Sequence, residues 1–192
     1  LMAALASRIL PEQETLSILD PVVGSANLLT TMMNQLQALN GRSTTGFGID
    51  NDDLMLATAS VNVALQKADV ELFHQDAILD LAVPQVDLVV ADLPVGYYPL
   101  DDNTKNYRTR AKEGHSFVHH LLIEQSMNYL KPGGFGLFLV PQALFQSDEA
   151  QGLVEWIQSV AHMQGLLNLP TAIFANQQAA KSILLLQRQG AS

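Results

Sequence analysis

Four groups of residues in this chain have the types and the placement for chemistry: the Asp20-Pro21 step with Gly24, Ser25, Asn27 and Leu28 behind it, then Asp50-Asn51, Asp76-Ala77, and Asp92 with Pro94, Tyr97 and Tyr98. Each stands at the end of one of four successive predicted strands. If those strands belong to one doubly wound sheet, their carboxyl ends share an edge, and residues distant in sequence converge on one crevice. One such acid would mean little; four in register point to a shared ligand. Asp50 stands where a carboxylate accepts hydrogen bonds from both hydroxyls of a ribose, because the alternative duty of helix N-cap is already served by Asp52 or Asp53. Asp76 taken alone reads equally well as a turn residue closing a strand.

Ile18 and Leu19 end abruptly in Asp20-Pro21, as a buried strand does on entering a turn. From Asn27 onward apolar residues recur at helical spacing (Leu28, Leu29, Met32, Met33, Leu36, Leu39), and Asn40-Gly41 is a good helix stop. Strand, small-residue turn and helix set backbone N–H groups and a helix N-terminus at the sheet edge, where nucleotide-like ligands bind. Before this unit the spacing predicts a short helix over 2–10, ended by Pro11. After it come a strand over 44–49 and a helix over 52–66, with Leu54, Leu56, Ala57, Val61, Ala64 and Leu65 as its apolar side. A strand over 70–73 follows, then a strand over 86–91 and a long polar loop over 95–116, of a length that is usually functional or mobile. The spacing then predicts a helix over 117–130 stopped by Lys131-Pro132-Gly133-Gly134, a strand over 135–140, a helix over 148–162, and strands over 164–169 and 182–187. The fold class is α/β: a doubly wound, mostly parallel seven-stranded sheet with a C-terminal antiparallel hairpin.

Composition agrees with that class. Hydrophobic residues make up 48% and charged residues 15% of 192, the profile of an interior sheet covered on both faces, and one domain accommodates the length. There is no signal peptide and no run of about 18 uninterrupted apolar residues, so a soluble, cytoplasmic protein without membrane contact is expected. The absence of cysteine excludes disulfides and thiolate metal sites. Net charge is −9, which counts against unaided binding to a nucleic-acid backbone. Lys105, Arg108, Arg110 and Lys112 form a local basic patch that is either a solvated loop or a phosphate contact.

The turn at Gly24 is neither a G-x-G-x-x-G fingerprint nor a P-loop, since Ala26 and Leu29 stand where glycines would be needed and no Lys follows. Asp20-Pro21-Val22-Val23-Gly24-Ser25-Ala26-Asn27-Leu28-Leu29 resembles instead the D-P-x-x-G-[ST]-G-x-[LF]-L signature of the S-adenosylmethionine-dependent N6-adenine DNA methyltransferases, with Ala26 in place of the second glycine. Asp92-Leu93-Pro94-Val95-Gly96-Tyr97-Tyr98 resembles their [DNS]-P-P-[YFW] motif, with Leu93 for the first proline and Val95 at the aromatic position. The L-K-P-G-G turn, the F-L-V-P-Q-A-L-F run from Phe138, the L-P-x-x-x-F pattern from Leu169 and the K-S-I-L-L-L strand extend the likeness to residues 16–188. They look like the catalytic core of type I restriction-modification subunits, and more so like stand-alone bacterial adenine-methylase-like proteins of class I.

The resemblance implies S-adenosylmethionine as cofactor and S-adenosylhomocysteine as product. It assigns Asp20 or its neighbours to the ammonium of the methionine part. Asp76 would take the exocyclic amine of the cofactor adenine and the Ala77 N–H a ring nitrogen; Pro21, Gly24, Ser25, Asn27, Leu28, Asn51 and Asp92 complete the cofactor set. The acceptor amine would be held at Asp92 and Pro94, with Tyr97 or Tyr98 covering its base in place of Val95. The chain is then one catalytic domain over 1–192, with 1–14 the remnant of a helical N-terminal region. DNA is the partner implied, bound weakly without a recognition domain, and oligomeric state is open. His115 and His119 are four apart, but no third ligand is evident, so no metal is expected. Two rivals stay open: a protein-glutamine or RNA acceptor on the same scaffold, and an interaction module that binds the cofactor or has lost it.

Overall fold

The computed structural model describes residues 1–190. The strands β1 (Thr15–Asp20), β2 (Ser43–Asp50) and β4 (Val86–Asp92) each end at an acid, and β3 (Val70–His74) ends two residues before Asp76. Tyr97–Tyr98 and Ser116–Phe117 are the short strands β5 and β6, and β7 (Leu130–Pro141), β8 (Ala161–Asn168) and β9 (Lys181–Arg188) complete the set. The main sheet runs in the order β3-β2-β1-β4-β7-β9-β8. Its pairs are parallel from β3 to β7, while β9 is antiparallel to both β7 and β8. The expected seven-stranded sheet with its terminal antiparallel pair is therefore observed, with β9 alone reversed.

Alternation along the strands feeds two cores. Leu16 and Ile18 of β1 and Leu88 and Val90 of β4 face α1 (Met2–Ile9) and α2 (Asn27–Asn40), whereas Leu19, Val89 and Ala91 face α4 (Val118–Asn128) and α5 (Ala150–Val160). Both faces are covered, as the near-continuous apolar strands require. Gly48 on β2 is needed for a close approach: a Cβ there would lie 2.8 Å from Val23 Cγ2, so the turn after β1 packs directly on the β2 backbone. Among the described residues no helix is long and apolar enough to cross a membrane.

Three expectations change. The helix α3 (Asp53–Gln66) is turned so that Ala59 is buried with Leu56 and Val63 partly so, leaving Leu54 and Leu65 each 77% exposed. Its apolar side is thus not the one the spacing suggested, because Leu54, Val61 and Leu65 project away from the sheet. Lys131-Pro132-Gly133-Gly134 is not a separate turn; it lies within β7, where the pairing register with β4 shifts between Val86 and Leu88. The long polar stretch has structure of its own. Its two ends pair as a two-stranded sheet, Tyr97 opposite Phe117 and Tyr98 opposite Ser116, and a 3-10 turn spans Asp101–Thr104. Glu124 of α4, 5% exposed, accepts from the Arg108 and Thr109 N–H groups and the Thr109 hydroxyl at 3.0, 2.8 and 2.8 Å, and Tyr107 donates to the Ile78 carbonyl at 2.6 Å.

Candidate functional site

β1, β2 and β4 end at one edge of the sheet and deliver Asp20, Asp50 and Asp92, and the segment after β3 delivers Asp76. Asp20 is 2% exposed and accepts the Val22 N–H at 3.0 Å. Burial pushes it up to about 7, the Asp50 and Asp92 charges adding to the rise and the Val22 N–H opposing it. The turn beyond it is left-handed at Gly24 (φ 53°) and again at Ala26 (φ 66°), so the residue that replaces the second glycine adopts the backbone that glycine would favour. Asp50 ties this turn down. Its Oδ2 accepts the Gly24 N–H at 2.9 Å while its Oδ1 accepts the Asp52 N–H at 3.0 Å, and the Ile49 carbonyl accepts the Val23 N–H at 2.8 Å.

Pro21, Asp50, Asn51, Asp76, Ala77, Pro94 and Tyr98 line one cavity of about 160 Å³. Ser25, Asn27 and Leu28 lie behind it. Asn62 of α3 donates to the Ser25 carbonyl and the Asn27 side chain at 3.0 Å each, and Leu28 packs partly buried against the α1–α2 core. Asp76 accepts the Ile78 N–H at 3.0 Å and the Tyr98 hydroxyl at 2.6 Å, and Asn103 donates to that same hydroxyl at 2.9 Å. Burial, with Asp76 beside it, pushes the Tyr98 phenol up to about 12, so it remains a donor at any physiological pH.

The two tyrosines part company, as neighbours on a strand must. Tyr98 is buried on the cavity side. Tyr97 is 65% exposed, stacks on Phe117 with ring centroids 4.8 Å apart, and lines a separate cleft of about 710 Å³. That cleft lies between the 109–117 segment and α5 and carries Arg110 and Lys112 against Glu113, Asp148, Glu149 and Glu155. Val95, at the aromatic position of the motif, is exposed.

Asp92 receives a cation that sequence reasoning gave no role. Lys181, the first residue of β9, donates from Nζ to Asp92 Oδ1 at 2.5 Å. The spacing predicts the last strand from residue 182, which leaves Lys181 outside the sheet, whereas β9 begins with it. The one available signal was topological: in a reversed last strand the first residue stands at the carboxyl edge of all the others. His115 pairs with Asp101 at 2.9 Å, whereas His119 and His120 are buried and pushed down to about 4, chiefly by that burial. Among the described residues no three His, Asp or Glu side chains gather as a metal site.

Residues 2–192 match the family described as N-6 DNA Methylase. The Bacillus subtilis protein YtxK, itself uncharacterised, is 44% identical over 169 residues, which are 88% of this chain and 50% of YtxK. A Listeria monocytogenes protein, provisionally described as a class I S-adenosylmethionine-dependent methyltransferase, is 42% identical with a TM-score of 0.94 over 100% of this chain and 59% of its own. The type I restriction-modification methyltransferase subunit from Streptococcus thermophilus is 14% identical and shares the fold, with a TM-score of 0.78 over 97% of this chain and 43% of that one. The chain thus spans about half the length of the curated relative it matches.

Proposed function

The chain belongs to the N-6 DNA Methylase family, and on that premise we propose that it transfers a methyl group from S-adenosylmethionine to an exocyclic amino nitrogen, the N6 of adenine in DNA, releasing S-adenosylhomocysteine and the amine's surplus proton in the cytoplasm. The observation that carries this reading is the meeting of Asp50, Asp76, Ala77 and Pro94 around one cavity, with Asp20 and Asp92 close enough for their charges to act on one another.

The residues present suit that cofactor. Asp20 is a buried carboxyl raised toward neutrality, and a neighbouring ammonium is the partner that would relieve it. Each oxygen of Asp50 already accepts one backbone N–H and keeps a lone pair for a ribose hydroxyl. Asp76 beside the Ala77 N–H offers an acceptor next to a donor, the complement of an adenine edge. Pro21, Gly24, Ser25, Asn27, Leu28 and Asn51 shape the turn and floor around them. When bound, the cofactor supplies a sulfonium methyl open to in-line attack.

What the chain itself contributes is placement of the acceptor. The lone pair of an aryl amine is delocalised into its ring. The Asp92 carboxylate and the Pro94 carbonyl accept its two N–H groups, which favours a more tetrahedral and nucleophilic nitrogen. Tyr97, exposed and braced by Phe117, offers a flat face for the base beside that amine. A duplex base must leave the stack to arrive there.

A second reading, a polypeptide carboxamide as acceptor, is favoured by one observation: the cleft beside Tyr97 carries four acids against two basic residues, which suits a polyanion poorly. The test supplies isotopically labelled S-adenosylmethionine with DNA and, separately, with polypeptide. N6-methyladenine formed by the native chain and lost in Asp92→Ala, with the melting shift caused by S-adenosylhomocysteine intact, supports the DNA reading. Label in glutamine with none in DNA overturns it.

A further inference from the structure

The contact between Lys181 and Asp92 spans 89 residues of sequence and most of the topology of the sheet. Asp92 pairs with Leu139 across β4 and β7, and Pro141 pairs with Lys181 across β7 and β9. Because β9 runs against β7, its first residue emerges at the edge where β1, β2 and β4 finish. The backbone there is held from two sides. The Lys181 carbonyl accepts the Leu169 N–H at 3.1 Å and the Gln142 side-chain amide at 3.2 Å, and the same amide also reaches the Leu169 carbonyl at 3.0 Å. The neighbouring Ser182 hydroxyl donates to Asn168 at 2.6 Å. From this anchored backbone the Lys181 side chain carries its ammonium to Asp92 Oδ1. Among the described residues Asp92 Oδ2 has no such partner.

We infer that Lys181 is a positioning and specificity-determining residue, which fixes Asp92 through Oδ1, presents Oδ2 to the acceptor, and by its own charge selects neutral amino or carboxamide nitrogens over protonated amines. This rests on the methyl-transfer reading proposed above. Asp20, Asp50 and Asp92 share this edge, and Lys181 is the cation that offsets the charge of Asp92, the most exposed of the three. A second ammonium brought to Oδ2 meets the first at close range, whereas a neutral nitrogen does not. A fixed acceptor matters because a misplacement of about 1 Å costs roughly 100-fold in rate.

The experiment uses the full chain as Lys181→Met and Lys181→Arg. The acceptors are an adenine-containing single-stranded oligodeoxynucleotide, a glutamine peptide and a lysine peptide, and the side-chain carboxyl resonance of Asp92 is read in parallel. Lys181→Met should lower kcat by roughly tenfold to 100-fold, with the KM for S-adenosylmethionine and the S-adenosylhomocysteine melting shift unchanged. It should also move the Asp92 resonance, and Lys181→Arg should recover most of both. Transfer at the native rate in Lys181→Met, an unmoved resonance, or native methylation of the lysine peptide overturns the role of Lys181 alone. No transfer by the native chain to any of the three acceptors overturns the methyl-transfer reading, and the role of Lys181 in presenting an acceptor falls with it.

Discussion

The Gly24 N–H donates to Asp50 Oδ2 at 2.9 Å, so the carboxylate proposed to face a ribose also clamps the turn that follows β1. On that proposal, structure and binding share one side chain. Asp50→Ala should abolish the melting shift produced by excess S-adenosylhomocysteine. It should also lower the stability of the ligand-free chain by about 1–3 kcal/mol, since two backbone N–H groups lose a charged acceptor. Urea titrations with and without the ligand read both effects, and a retained ligand shift would remove Asp50 from the site.

Asp20, proposed to meet the cofactor ammonium, acts on stability in the opposite sense. Its folded pKa is raised from 3.8 to about 7, so the stability it permits is fully present below about 3.8 and is lost as pH rises through 7. Asp20→Asn keeps an oxygen for the Val22 N–H and removes the buried charge. The variant should be more stable than the native chain by a few kcal/mol at pH 8, with the gain shrinking steadily toward pH 4. Its affinity for S-adenosylhomocysteine should fall. Thermal melts across pH 4–8 check the first outcome and calorimetric titration the second.

Tyr97 and Tyr98, adjacent in sequence, should fail separately. Tyr97→Ala removes an exposed aromatic face, which is worth about 1–3 kcal/mol when a base stacks on it. It should raise the KM for a nucleic-acid acceptor and leave the S-adenosylhomocysteine shift untouched. Tyr98→Phe deletes the 2.6 Å hydrogen bond to Asp76 and should weaken the cofactor with little effect on the acceptor. Equal effects of the two changes on both ligands would contradict the separation of cavity and cleft.

Glu124 holds one wall of the cleft from inside α4. Glu124→Ala leaves the Arg108 and Thr109 N–H groups and the Thr109 hydroxyl without their acceptor. The cost should be about 2–4 kcal/mol for a buried network of this kind. Loss of the anchor should also loosen the backbone around the exposed Arg108, Arg110 and Lys112 enough for trypsin to cut there. Limited proteolysis followed by mass spectrometry should find new cuts there, and a native-like digestion pattern would show that the loop is held by other contacts.

The strand ends were legible because Asp20 and Asp92 each break a largely apolar, buried run and Asp50 closes a β-rich one. The helix α2 was legible to the residue because its apolar periodicity ends at Asn40-Gly41, and Gly41 takes the left-handed cap. The orientation of α3 was not. Leu54, Leu56, Val61 and Leu65 all suit a helix, and only packing against β2 and β3 selects which of them turns inward. The division between Tyr97 and Tyr98 needed the pairing with Ser116–Phe117, two residues that carry no strand signal by themselves. Lys181 escaped notice because its partner is set by strand order and direction, which no local pattern encodes.

β9 is inserted between β7 and β8, so of these seven strands the one latest in sequence fills a gap between two that precede it. During synthesis from the amino end β7 waits with an open hydrogen-bonding edge, and β8 has no neighbour, until the ribosome has released residues 181–188. An open apolar edge is the part of a nascent sheet most prone to pairing with a stray chain. Asp92 also goes through this interval without Lys181. The proposed acceptor site therefore gains its Lys181 contact only with the strand that seals the sheet, and a nascent chain lacks that contact while its sheet remains open.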